Sequence, residues 1–255
     1  MAPVSLITRA DDLGSSHAAN EAILQVAEAG FVKNISVMAV CPHLEEAAEM
    51  LSGRKDVSFG LHACITSEWD RVLWGPLASR ERVPHLIDAR GAMYQTVDAL
   101  AAAKPAVEEI MHEYRCQLET LRRVGFHVTY LDSHMMPELQ IPGLREAMSR
   151  MAEEEGLVDH SPFYRMFPTD LKQLAKQPEL FRRTLQSGIE GTYLMIMHPA
   201  CYGEEMLLTG NRKNSGETVA SQREADRRFM TDPAILAACK DFGVRLLRYE
   251  EAAIK

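Results

Sequence analysis

Two adjacent carboxylates, Asp11 and Asp12, follow the short apolar run Ser5-Leu6-Ile7-Thr8 and precede Leu13-Gly14. Neighbouring like charges repel, so the pair is costly unless a cation compensates it or a proton is taken up. Three more strand-like runs end in an imidazole: Val57 to His62, Val128 to His134, and Tyr193 to His198. Side chains alternate along a strand, which predicts that one of the two acids ligates a metal while the other acts from another direction. Acids and imidazoles at the tips of several parallel strands are what a metal-dependent hydrolase on a β/α barrel presents.

Asp12, His62 and His134 are therefore candidate metal ligands. One carboxylate and two imidazoles suit zinc, with magnesium, cobalt, manganese and nickel as alternatives, and leave coordination positions open. Asp11 is then the candidate general base toward water on the metal, and His198 the candidate acid for the leaving group. The remaining histidines (His17, His43, His85, His112, His127 and His160) read as ordinary helix-start, loop and connection residues. The five cysteines are odd in number and lack C-x-x-C spacing, which predicts free thiols in a cytoplasmic protein.

Strands must hold these residues. Strand patterns fall near 5–9, 35–40, 57–62, 128–132, 192–198 and 244–249, with a seventh near 157–159. Helix patterns fall near 18–29, 44–51, 105–123, 144–155, 180–185 and 233–242. Gly30, Gly125, Gly156 and Gly243 stand where left-handed C-caps belong, and Asp232-Pro233 opens the last helix. Alternating β and α elements predict an α/β fold, a distorted or incomplete TIM-like β/α barrel of about seven parallel strands. The whole chain, 1–255, reads as one catalytic domain with a long loop insertion around 66–104. That segment and 200–217 lack periodicity, and each follows a strand ending in a site histidine, so both should cover one barrel mouth. Trp69 and Trp74 in the first either grip a sugar ring or pin the loop.

The 255 residues are 46% hydrophobic and 25% charged, as in a globular protein with a substantial core. A net charge of -8 without a basic patch argues against nucleic acid as a partner. No apolar run reaches membrane-span length, which predicts no membrane association. G-x-S-x-G, P-loop and G-x-G-x-x-G motifs are absent, so serine-hydrolase, nucleotide-hydrolase and Rossmann readings lack support.

Ala10-Asp11-Asp12-Leu13-Gly14 with Asn20-Glu21-Ala22-Ile23 resembles the opening of the YdjC-like carbohydrate deacetylases, also called the ChbG/HpnK family. The resemblance continues through Gly60-Leu61-His62 with Thr66, Leu131 to His134, Met197-His198-Pro199, and Arg223-Glu224-Ala225-Asp226. It implies a distorted β/α barrel, metal-dependent removal of an N-acetyl group from an amino sugar or acetylated oligosaccharide, and a homo-oligomer. It also implies the base, ligand and acid positions already named, with Thr66 and Arg223 among the substrate contacts. Three departures stand out. Arg9 replaces an asparagine common in relatives, and would tune the base or bind an acidic substrate group. Met135-Met136 stand where relatives carry further histidines, and Cys201-Tyr202 follow Pro199-Ala200 where a glycine often follows the proline. The missing histidines motivate one alternative, a catalytically altered sugar-binding or regulatory protein; a second keeps the metal site in a different metal-dependent sugar hydrolase or isomerase.

Overall fold

The computed structural model describes residues 4–163 and 165–253. The chain runs β1 (Val4–Leu13), α1 (His17–Ala29), β2 (Asn34–Val37), α2 (Leu44–Leu51) and β3 (Ser58–Ala63), then α3 (Val97–Ala102), α4 (Val107–Arg123), β4 (Val128–Ser133), α5 (Leu144–Glu155) and β5 (Val158–Asp159). It continues with α6 (Leu171–Lys176), α7 (Glu179–Gln186), β6 (Gly191–Met197), α8 (Glu204–Leu207), α9 (Gly216–Thr231), α10 (Pro233–Asp241), β7 (Arg245–Leu247) and α11 (Tyr249–Ala253). The strands pair in parallel in the order β5-β4-β3-β2-β1-β6, and β7 joins the lower half of β1. Met166 bridges Leu194, so the segment after β5 reaches the free side of β6. The result is the expected α/β half-barrel, curled so that all strand C-termini face one mouth.

Two apolar layers hold it. The larger lies between sheet and helices, with Leu6, Ile35, Leu61 and Leu131 against Ile23, Leu118 and Met151. A smaller cluster of Ile7, Tyr130, Leu194, Leu247 and Tyr249 fills the inside of the curl. Asn34 closes the split between β2 and β7: its amide donates to the Thr8 and Leu247 carbonyls (both 3.0 Å) and accepts the Tyr249 N–H (2.9 Å). Gly60 is required on β3 because any Cβ there would overlap the Tyr130 ring.

Several expected boundaries shift. β1 runs past residue 9 to Leu13, because the two acids remain in the sheet. β2 ends at Val37 and β7 at Leu247, where Tyr249 turns into α11. Neither loop segment is wholly irregular: α3 starts on a Thr96 cap within 66–104, and α8 lies within 200–217. Both helices are under two turns, too short to show periodicity. The long α9, capped by Ser215, has a charged sequence in which few residues are buried, so it lacks a clear apolar periodicity.

Candidate metal centre

β1 delivers Asp11 and Asp12 with a distortion that the strand pattern conceals. Three steps along β1, from Ala10 to Leu13, pair with two along β2, from Ile35 to Val37. Asp12 takes a left-handed φ of 71°, and its carbonyl accepts the Ser15 N–H at 3.1 Å. This bulge cancels the alternation, so the expectation that the two acids point to opposite faces is wrong. Both carboxylates approach the same imidazole: His62 Nε2 lies 3.5 Å from Asp12 Oδ1 and 3.8 Å from Asp11 Oδ2.

β3 and β4 end in the two imidazoles. His134 Nδ1 lies 3.2 Å from His62 Nε2 and 3.6 Å from Asp12 Oδ1, completing a triangle of three facing donor atoms. A tetrahedral zinc with bonds of ~2.0–2.1 Å spaces its ligand atoms about 3.3–3.4 Å apart. Asp12 Oδ1 is buried without a hydrogen-bond partner, a state that normally costs about 1–3 kcal/mol. A cation at the centre of the triangle would remove that cost, so the donor set fits a divalent ion. A second group, Asp11, His62 and Asp132, shares the same imidazole.

Each imidazole presents a different nitrogen because each has its own carboxylate behind it. Asp132 Oδ2 lies 2.9 Å from His62 Nδ1, and Glu68 Oε2 lies 3.0 Å from His134 Nε2. Such partners fix the tautomer and ring orientation of a ligating histidine. Burial would lower the His62 pKa, but Asp132 and Asp11 hold it up to about 9. Burial would raise Asp12, yet the Arg223 guanidinium, 2.6 Å from Oδ2, and the two imidazoles keep its carboxyl well below the usual range.

Arg9 lies under the floor, 3% exposed. Its guanidinium chelates both Asp11 oxygens (2.6 and 2.7 Å) and reaches Asp132 Oδ2 at 2.9 Å. The expectation of a substrate contact is not met: the cation is used up between two acids, because burying an arginine is tolerable only with full pairing. Thr66 is also fully buried, and its carbonyl receives the Trp74 indole N–H at 2.7 Å. His198 stands at the open side, its side chain 44% exposed and its Nε2 3.9 Å from Asp11 Oδ2. The Asp226 carboxylate on α9 accepts its backbone N–H at 3.0 Å.

Beside the triangle opens a cavity of ≈ 200 Å³ whose wall includes Asp12, Glu68, Trp69, Trp74 and Arg223. Trp74 pins the loop and also faces this space. α8 and the residues after it form the roof: Glu205 accepts the His17 and Ala18 N–H groups at the start of α1, and Asn211 donates to the Glu68 carbonyl at 3.1 Å. His43, expected to be ordinary, lines the cavity and lies 3.3 Å from Glu205. Asp132 and Glu68 were not assigned to the centre from the sequence. Asp132 lies two positions before a strand-end histidine, a usable signal; Glu68 lies in a loop whose path no periodicity reveals.

A curled parallel α/β sheet with a buried carboxylate–imidazole centre at its C-terminal mouth defines a barrel-type fold whose donor set fits a divalent cation. The chain belongs to the YdjC-like family, whose model matches residues 5–241. It is 26% identical to the carbohydrate deacetylase of Geobacillus stearothermophilus, over 98% of each chain. It is likewise 26% identical to the chitooligosaccharide deacetylase of Yersinia enterocolitica, over 96% of this chain and 98% of that one. A solved structure from Enterococcus faecalis V583, described as a cellobiose-phosphate cleavage protein, shares the fold with a TM-score of 0.77 at 20% identity, covering 100% of both chains.

Proposed function

We propose that the protein is a divalent-cation-dependent hydrolase that removes the N-acetyl group of an amino sugar or acetylated oligosaccharide. The observation that carries this reading is the triangle of Asp12 Oδ1, His62 Nε2 and His134 Nδ1, no side longer than 3.6 Å, with the Asp12 oxygen buried and unpartnered. The names of the full-length relatives support the substrate class, and the family match over 5–241 supports reading the chain as one catalytic domain.

Asp12, His62 and His134 would hold the ion, zinc being the first candidate for this donor set. The ion would act as a Lewis acid, polarising the acyl carbonyl and easing the loss of a proton from water. Asp11 takes that proton; with both oxygens held by Arg9, it is fixed beside the centre without coordinating there. His198 gives a proton to the departing amine from the open side. Arg223, against Asp12 Oδ2, keeps the ligand carboxylate ionised. The free cysteines fit a reducing compartment, which supports a cytoplasmic site of action.

The test pairs elemental analysis with acetate release from N-acetylglucosamine and acetylated chito-oligosaccharides. Zinc-loaded protein should release acetate, lose activity with a chelator, and recover it when zinc returns. No acetate from any substrate, with zinc bound in full, would overturn the proposal.

A further inference from the structure

We infer that the cavity under α8 is an acyl pocket, shaped for an N-acyl group longer than acetyl; the inference rests on the amide hydrolysis proposed above. The two ends of the amide are placed by the residues around the triangle. An amine taking its proton from His198 lies on the exposed side of the centre, since that imidazole is 44% exposed and within 3.9 Å of Asp11. From the centre, the cavity wall takes Asp12, Glu68 and Arg223, while Asp11 and His198 stand outside it. With the carbonyl at the triangle and the amine beside His198, the acyl substituent points into the cavity.

The wall suits an alkyl or aryl group better than a sugar ring. Met38, Val72, Trp74, Met206 and Leu208 supply apolar surface. Most polar groups among them are already engaged: the Trp74 indole with the Thr66 carbonyl (2.7 Å), the Thr209 hydroxyl with the Met206 carbonyl (2.6 Å), and the Glu205 carboxylate with two N–H groups of α1. Glu68 is spent on His134. The Ser15 hydroxyl, the Trp69 indole N–H and the rest of the Arg223 guanidinium remain free, with Ser15 and Arg223 beside Asp12, where a carbonyl would be. Sugar hydroxyls placed deeper would lose water and find few partners, whereas a hydrocarbon chain needs none. Size points the same way. A methyl group fills about the volume of one water, ~30 Å³, and a dry cavity of ~150 Å³ admits benzene. The ≈ 200 Å³ here is several times what an acetyl methyl would occupy.

The bond changes are those of the parent reaction. Water oxygen bonds to the acyl carbon, the C–N bond breaks, the amine takes a proton, and the acid leaves as its carboxylate. The test uses N-acetyl-, N-butyryl- and N-hexanoylglucosamine with zinc-loaded protein, read as free amine, and titrations of acetate and hexanoate by calorimetry. We expect kcat/KM to rise about fourfold per added methylene until the cavity fills, and hexanoate to bind more tightly than acetate. Val72→Trp should lower the hexanoyl-to-acetyl ratio at least tenfold. Turnover that is best with acetyl and falls with longer chains overturns the pocket while leaving the hydrolase reading standing. If no member of the series releases amine, the hydrolase reading fails. Hexanoate binding no tighter than acetate then overturns the pocket as well.

Discussion

Asp11 and Asp12 are chemically identical neighbours that the fold makes different. Asp12 keeps one oxygen free of hydrogen bonds and aimed at two imidazoles, while both oxygens of Asp11 are occupied by Arg9. Asp11→Asn should therefore abolish turnover, by at least 10²-fold, while elemental analysis still finds one bound ion; substantial acetate release from this variant would refute the base assignment. His62 depends on Asp132 for its orientation, at 2.9 Å. Removing such a carboxylate weakens metal binding roughly 10–100-fold. Asp132→Ala should show that loss in a competition titration with a chromophoric chelator, and unchanged affinity would exclude the orienting role.

At the level of elements, β3 and β4 can pack closely enough to join His62 and His134 only because Gly60 leaves room for the Tyr130 ring. Gly60→Ala should destabilise the fold by at least about 1–3 kcal/mol, the usual cost of forcing atoms into a packed interior, visible as a lower unfolding midpoint in urea. The long helix α9 carries Arg223 to Asp12 and Asp226 to the His198 backbone, and Glu224 pairs along the helix with Arg227 and Arg228. That carboxylate accepts from Arg227 and Arg228, and these guanidinium hydrogen bonds, outweighing burial, hold its pKa down at about 2. A depressed folded-state pKa gives stability that is present above the ordinary glutamate value and lost as pH falls through the folded one. The Tm advantage of the wild type over Glu224→Gln should thus be full at pH 6 and shrink between about pH 4.3 and pH 2. An advantage that stays constant down to pH 2 would contradict the linkage.

Across the whole molecule, one ion would tie together the ends of three strands, β1, β3 and β4, whose ligands Asp12, His62 and His134 stand far apart in the sequence. A ligand that binds only the folded state raises stability by about 2.7 kcal/mol at a hundredfold excess over its Kd. Zinc should raise Tm by several degrees, and a chelator should reverse the change; a Tm indifferent to both would argue that no ion binds there.

The sequence by itself determined the parallel α/β architecture and the five residues at the mouth, because strand ends, helix caps and side-chain types are local properties written in runs of a few residues. Asp12, His62 and His134 fall together as their strand-end positions require. Tertiary structure alone decided the rest. The β1 bulge turned both acids to one face, Arg9 was consumed beneath the floor instead of meeting substrate, and Glu68 and His43 arrived from connections without periodicity. Each depends on which distant segments lie beside it, and burial forces charged groups to find partners that no local pattern names.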